Sequence, residues 1–478
     1  MKKNGYITVY LSLTIVLMLS FVIALTEGIR VQTIRFQTEC VMDMGITSIF
    51  AEYHRELLKQ YGLFAIDTTY GEADGEEEKV KGRLLQFMNM NFIAPGQKRL
   101  PNYKDLTALH ADNAHLSKVS YLSDAKGEVL EYQIIQYMKE QTGLSYVEGI
   151  WLTDSFSQNE REYQRLEQKK NSSYNCIRNI LKKINDKRLP EEEKISIENP
   201  ADRVEEMKSS FLLDLAIKDS GKLRRNKVTL SHYLSHRDYV EGEGLWEKQF
   251  LPQGIQQHLL CRQYLFEKCG YYDAIKDNSV LGYQLEYLLY GNSDDIENLN
   301  DMAKQLLKIR YVINASYLFS SSSKINEAAA LAATVTTGIG SPQLTEAVKT
   351  TILFAWCYAE SVQDLRILFD GNGVAETKSD STWNVSLSEL LQFSATLDSY
   401  DSPQNGKCYQ DYLAFFLMQK EEHILLMRLM DIMEMDIQNT LGNQYFQVDR
   451  CIYQLEASVN VSSKYGYGYS ITRDYSYE

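Results

Sequence analysis

From Tyr6 to Thr26 the chain carries no charged side chain. A helix of about 20 residues rising about 1.5 Å per residue matches the roughly 30 Å hydrocarbon core of a bilayer, so the stretch predicts a transmembrane helix. Val22-Ile23-Ala24 offers a small-residue cleavage site, but the apolar run is longer than a signal peptide needs and helical periodicity continues past it, which predicts retention as an anchor. Lys2 and Lys3 flank the short side, placing the N-terminus in the cytoplasm and the bulk of the chain outside it. Beyond the apolar run, Val31, Ile34, Val41, Met44, Phe50, Tyr53, Leu57 and Tyr61 recur mostly at three-, four- or seven-residue steps. They predict an amphipathic stalk helix over 27–62, with a lapse at Gly45 and a C-cap at Gly62, followed by a short strand over Leu63 to Thr68.

The acidic loop EADGEEEKVKG opens a head segment, 63–185, with charged helices expected near 76–92, 126–142 and 159–185. DKRLPEEEKISIENP, 186–200, reads as an exposed linker, and Pro200 sits where a first helical turn tolerates it. A helical body is predicted over 201–445. It includes one helix ending at Gly291 and another entered at Asp294, which has capping-box spacing to Glu297. The Ala- and Thr-rich segment around Pro342, Glu346 and Lys349 reads as a buried helical hairpin, because those three residues break any second span. In YLAFFLMQKEEHILLMRLMDIMEMDIQ, Met418, Met427, Met430, Met433 and Met435 read as core filling, and Glu421, Glu422 and His423 as a wet face. The clearest strand signal is at the C-terminus, 446–478. Cys451, Tyr453, Leu455, Ala457, Val459 and Val461 alternate there, as do Tyr465, Tyr467, Tyr469, Ile471, Arg473, Tyr475 and Tyr477. Two such runs predict an antiparallel hairpin, with Leu63 to Thr68 supplying a third strand. The fold class is thus mainly α (α+β): a transmembrane helix continuing into an amphipathic helix, a helical body and a small antiparallel sheet.

With 478 residues, 44% of them hydrophobic, the chain is long enough for two or three packed units. A formal charge of −14 argues against nucleic acid or an anionic membrane surface as the main partner. The seven cysteines include no C-x-x-C pair and read as free core thiols, with a Cys261 to Cys269 bridge left open. Candidate chemistry is sparse. His232 and His236 stand at the i, i+4 spacing of a helical metal pair, but the pattern lacks the Glu of H-E-x-x-H and a third ligand. The glycines of GNGVAE and YGYGYS lack the strand-to-helix setting of a phosphate loop, and no nucleophile motif occurs. The expectation is a non-enzyme without metal, cofactor or catalytic residue. The tyrosine ladder fits packing on a half-buried pleated face, or else stacking on sugar or a neighbouring subunit.

YITVYLSLTIVLMLSFVIALTEGIRVQTIRFQTECVMDMGITSIFAEYHRELLKQYGLFAID, YQLEYLLYGNSDDIENLN, AWCYAESVQDLRILFDGNGV and YQDYLAFFLMQKEEHILLMRLMDIMEMDIQ resemble blocks of a family of bacterial single-span proteins of unknown function, associated with tight-adherence (Flp-type) pilus and related secretion machinery. The resemblance implies a structural or assembly component of a pilus-like system, with the lipid bilayer and pilus-type assembly proteins as partners. KKNG before an apolar helix also resembles a prepilin processing site between Gly5 and Tyr6, although Tyr10 stands where prepilins carry Glu. The alternative is an anchored module that binds or senses cell-wall polymer or an extracellular ligand, for which a cleft of convergent Tyr and Trp side chains would be the mark.

Overall fold

The computed structural model describes residues 4–92, 105, 107–141, 156–186, 194–208, 211–218, 221, 223–247, 249–251, 254–391 and 406–477. Its helices are α1 (Asn4–Phe50), α2 (Arg55–Tyr61), α3 (Glu77–Phe92), α4 (Asp124–Gln141), α5 (Phe156–Asn185), α6 (Pro200–Met207), α7 (Leu212–Ala216) and α8 (Ile255–Lys268). They continue with α9 (Gln284–Tyr290), α10 (Asp295–Leu318), α11 (Ser322–Val335), α12 (Pro342–Phe369), α13 (Leu387–Leu391), α14 (Tyr409–Gln419) and α15 (Glu422–Gln438). The strands are β1 (Ile66–Asp67), β2 (Leu109–Tyr121), β3 (Cys451–Ser463) and β4 (Gly468–Ser476). The architecture is mostly helical with one small antiparallel sheet, as the periodicity predicts. Two compact units interleave along the chain: unit 1 takes Met1–Thr142, Ser231–Cys261 and Leu426–Glu478, and unit 2 takes Gly143–Leu230 and Arg262–Leu425. The stretch read as a linker falls within unit 2, where Asn185 exchanges hydrogen bonds with Ile195 at 2.9 and 3.0 Å; residues 187–193 lie outside the described residues.

In unit 1, β3 is the centre of the sheet. It pairs antiparallel with β2 along one edge and with β4 and β1 along the other. The register sets Val461 opposite Tyr469, Val459 opposite Ile471, Ala457 opposite Arg473 and Leu455 opposite Tyr475, so the two alternating runs share a face. α1 covers that face, with Asp43 bonded to Arg473 at 2.8 Å and the Tyr477 hydroxyl donating to the Phe50 carbonyl at 2.7 Å. α3 lines the same core with Val80, Leu84 and Met88, one residue per helical turn.

Three local expectations change. Gly45 is no lapse: α1 runs through it, and a Cβ there would stand 3.0 Å from Met88 Cγ and 3.1 Å from Leu84, so its smallness permits the close approach of α3. The helix breaks instead at residues 51–54, and α2 restarts with the His54 ring accepting the Leu57 amide at 3.1 Å. Gly62 caps α2 in the left-handed region (φ 72°), its amide bonded to the Leu58 carbonyl. The long strand β2 had no counterpart in the sequence reading. Shifts of register between Ala111 and Asn113 and again between Ser117 and Tyr121 destroy its two-residue period.

Unit 2 is built round α12, which is buried along nearly its whole length from Thr351 to Phe369. Ser341 caps its start by accepting the Leu344 amide, and Pro342 occupies the first turn. The expected hairpin is α11 and α12, but the two differ in burial: α12 is enclosed, whereas α11 buries Ala328 and Ala332 and leaves its other face toward solvent. One polar face of α12 is also buried. Asp364 accepts Arg310 Nε at 2.9 Å, Asn314 at 2.9 Å and Lys378 at 2.7 Å, while Glu360 accepts Lys378 at 2.5 Å and the amides of Asn384 and Val385. Two cations meet two carboxylates, so the charges cancel where water is excluded. The segment 374–385 is thereby stitched to α12, with the Arg310 guanidinium also reaching the Ala375 carbonyl and Trp356 the Val385 carbonyl. All seven cysteines are free.

Truncating one member of this cluster leaves unpaired charge in the interior. Asp364→Ala is expected to destabilise the protein by about 3–5 kcal/mol, whereas Lys304→Ala, in an exposed pair with Asp301, costs roughly 0–1 kcal/mol. Chemical denaturation followed by circular dichroism compares the two variants directly.

Candidate functional site

The residues singled out for chemistry do not converge. His232 and His236 lie on two successive short 3₁₀ turns, Leu230–His232 and Leu234–His236, rather than on one helix face, and both are exposed or partly so. Glu421 and His423 form an exposed pair at 3.5 Å. Glu422, read as a wet-face residue, instead clasps the buried Arg262 guanidinium through both carboxylate oxygens at 2.7 and 2.8 Å, and the expected single helix is broken here between α14 and α15. Met430, Met433 and Met435 are buried core residues. Gly5 and Tyr6 are in the first turns of α1.

A second polar centre, in unit 1, holds the segment 231–240. Arg237 makes a two-point bond to Asp449 (2.9 and 2.7 Å) and a third to Glu434 (2.7 Å). Ser235 is fixed to Asp431 through its amide at 2.8 Å and its hydroxyl at 2.5 Å. One guanidinium cannot neutralise two buried carboxylates, and Asp449 has the better geometry. Burial pushes Glu434 up to about 8, with Arg237 opposing, so its carboxyl is protonated at neutral pH. Its Oε1 accepts Arg237 and the Val448 amide, and Oε2 is left to carry the proton.

Unit 1 carries an aromatic cleft of about 680 Å³ lined by Phe50, Tyr53, Phe64, Trp246, Tyr475 and Tyr477, with Thr47, Asp474 and Ser476 among them. Phe50 is the last residue of α1 and touches the rings of Tyr475 (4.5 Å between centroids) and Tyr477 (4.9 Å). Phe64 stacks on Tyr477 at 5.6 Å, and Tyr53 meets Phe64 edge-on at 5.2 Å. Trp246 and Asp474 are shared with a charged trough of about 460 Å³ that adds Lys118, Glu243, Glu247 and Glu456.

Trp246 reaches the cleft because Asp124 holds its loop. The Asp124 carboxylate accepts the amides of Tyr121 (3.0 Å), Gly242 (2.7 Å) and Gly244 (3.0 Å). Ser120 and Gln454 bind the Gly244 carbonyl at 2.5 and 3.1 Å. Burial raises the Asp124 carboxyl, and the three amides work against that rise. Sequence reading flagged Tyr475 and Tyr477 as members of the ladder but missed Trp246, Asp124 and Arg237, which come from loops and element ends with no periodicity to mark them.

The model of a family described as of unknown function (DUF5702) matches residues 190–463. No curated protein and no solved structure matches the chain.

Glu434 gives unit 1 a defined pH response. Between its ordinary value of 4.5 and about 8 the folded chain holds a proton that the unfolded chain has lost, so stability from this group falls as pH rises through that window. Glu434→Gln keeps both accepted bonds and removes the titration. Unfolding free energy measured from pH 5 to pH 9 is expected to fall less steeply in the variant, by on the order of a few kcal/mol across the window.

Proposed function

The chain belongs to DUF5702, a family of unknown function, and from that premise we propose that it is a membrane-anchored, extracytoplasmic structural or assembly component of the cell envelope. The observation that carries this reading is the division of α1. From Tyr6 to Leu25 its large apolar side chains are 51–82% exposed, while from Ile34 onward the same unbroken helix is set into the core of unit 1. Among the described helices this is the one long and apolar enough to cross a membrane. Its hydroxyls suit hydrocarbon: Ser12, Thr14, Ser20 and Thr26 each donate back to a carbonyl three or four residues earlier, at 2.8–3.0 Å. An anchor of this form is rigidly continuous with the folded unit, as a subunit that must present its head at a set height requires. The tight-adherence pilus as the particular system rests on the sequence resemblance alone.

Two measurements test this reading. Full-length protein is expected to resist alkaline extraction from membranes and to dissolve only in detergent, and Leu17→Arg, which puts a charge costing about 2.5–3.5 kcal/mol at mid-span, is expected to shift it toward the soluble fraction. Affinity purification from detergent-solubilised membranes is expected to recover pilus-type platform or motor proteins; their absence overturns the assembly role.

The aromatic cleft favours a second reading, an anchored module that binds cell-wall polymer. Rings at several angles present faces to the C–H surfaces of sugars, and Asp474, Ser476 and Thr47 offer hydrogen bonds to hydroxyls. Trp246→Ala with Tyr475→Ala is expected to weaken retention on isolated cell-wall sacculi by roughly tenfold or more, about 1.4 kcal/mol, without altering membrane association. Unchanged retention removes this reading.

A further inference from the structure

We propose that the β3–β4 turn of unit 1, bearing Lys464, Tyr465 and Tyr467, rests in the phospholipid headgroup layer of the membrane that α1 crosses. This rests on the anchor reading above and adds to it a second membrane contact, made by the folded unit itself.

The turn meets α1 immediately after the last uncharged residues of the apolar run. The Tyr467 hydroxyl donates to the Glu27 carboxylate, Arg30 bonds Glu27 at 2.9 Å, and the Arg30 guanidinium lies 4.4 Å over the Tyr465 ring. The Tyr465 hydroxyl donates to the Asp105 carbonyl at 2.9 Å, yet 45% of the residue stays exposed, and Lys464 beside it is exposed too. Ile29, 66% exposed, is at the same level of the helix. Glu27 is neutralised by Arg30, which leaves Lys464 as the turn's own charge. An amphipathic ring pair with a free cation is the chemistry that settles where acyl chains give way to anionic headgroups.

The spacing agrees. At the other end of the run, Tyr6 and Tyr10 are 82% and 72% exposed. From Tyr6 to Glu27 the helix rises about 32 Å, close to the roughly 30 Å hydrocarbon thickness, with a headgroup layer of about 5–7 Å on each side. Tyrosines therefore bracket the span at both boundaries, one set supplied by the helix and the other by a hairpin more than four hundred residues later in the chain. Because the turn belongs to the sheet, its docking fixes the tilt of unit 1 as well as its depth.

The test uses full-length protein in nanodiscs of phosphatidylethanolamine with phosphatidylglycerol, with the photo-crosslinking residue p-benzoylphenylalanine replacing Leu17, Tyr465 or Leu441 one at a time. Leu441 is fully exposed and lies beside Asn443, which bonds His54 beyond the far end of α1. Mass spectrometry is expected to find phospholipid adducts at positions 17 and 465 and none at 441. An adduct at 17 without one at 465 overturns the headgroup contact and leaves the anchor standing; loss at 17 overturns the anchor reading itself. The same residue at Lys464 serves as the second variant, since that side chain is exposed and leaves both tyrosines of the turn in place.

Discussion

One unbroken helix, apolar and exposed in its first half and packed on a sheet in its second, constrains everything else in unit 1. Its first half exposes large apolar side chains, whose contact with water is unfavourable, whereas its second half must fit the pleated face of a sheet. The composition changes accordingly. Uncharged residues with self-satisfied hydroxyls give way at Glu27 and Arg30 to a two-sided helix, in which Val41, Met42, Ile46 and Ile49 point inward and Asp43 and Thr47 outward. Gly45 gives that second half a close approach to Met88 and Leu84 of α3. A rigid rod of this kind also acts as a ruler. Phe50, lining the aromatic cleft, stands about 35 Å along the helix from Glu27, so the cleft is held at a set distance from the proposed bilayer boundary.

The elements legible in the sequence are those whose residue types recur at a regular period. β3 and β4 are readable because apolar or aromatic residues stand at every second position from Cys451 to Val461, and α6 and α10 because Pro200 and Asp294 mark where they start. β2 was not legible, since its bulges put successive buried residues out of step and Lys118 adopts φ 49° in mid-strand. Nor was the start of α4, where Ala125, Lys126 and Gly127 are all left-handed. Asp124, just before this strained turn, is the residue whose carboxylate gathers three amides. A local conformation that sequence rules disfavour is here stabilised by contacts from residues more than a hundred positions away.

Half of the candidate site was legible for the same reason. Tyr475 and Tyr477 belong to the alternating run of β4 and the residue after it, while Trp246 owes its place to Asp124, Ser120 and Gln454, drawn from two separate parts of the chain. The histidine spacing at 232 and 236 failed because i, i+4 implies one face only on a helix, and the segment instead follows Arg237 and Ser235 to their buried carboxylates. Glu422 failed for a related reason: an acidic residue in an apolar run signals exposure only when no buried cation is waiting for it, and Arg262 was.

Buried charge is handled differently in the two units. Around Asp364 in unit 2, Arg310 and Lys378 balance Asp364 and Glu360, and every interaction ties the segment 374–385 or α10 to α12. Removing any single partner there costs an uncompensated ion, so the cluster acts as a lock on one arrangement. Around Arg237 in unit 1, two carboxylates compete for one cation, and protonation of Glu434 resolves the excess. In the first arrangement burial works against the Asp364 charge but Arg310 and Lys378 outweigh it and hold its carboxyl below the usual range, while burial pushes Glu360 up against the pull of Lys378. The second keeps a titratable proton at the base of the segment that leads to Trp246, so the loop lining the cleft hangs from a centre where a buried acid is neutral near pH 7.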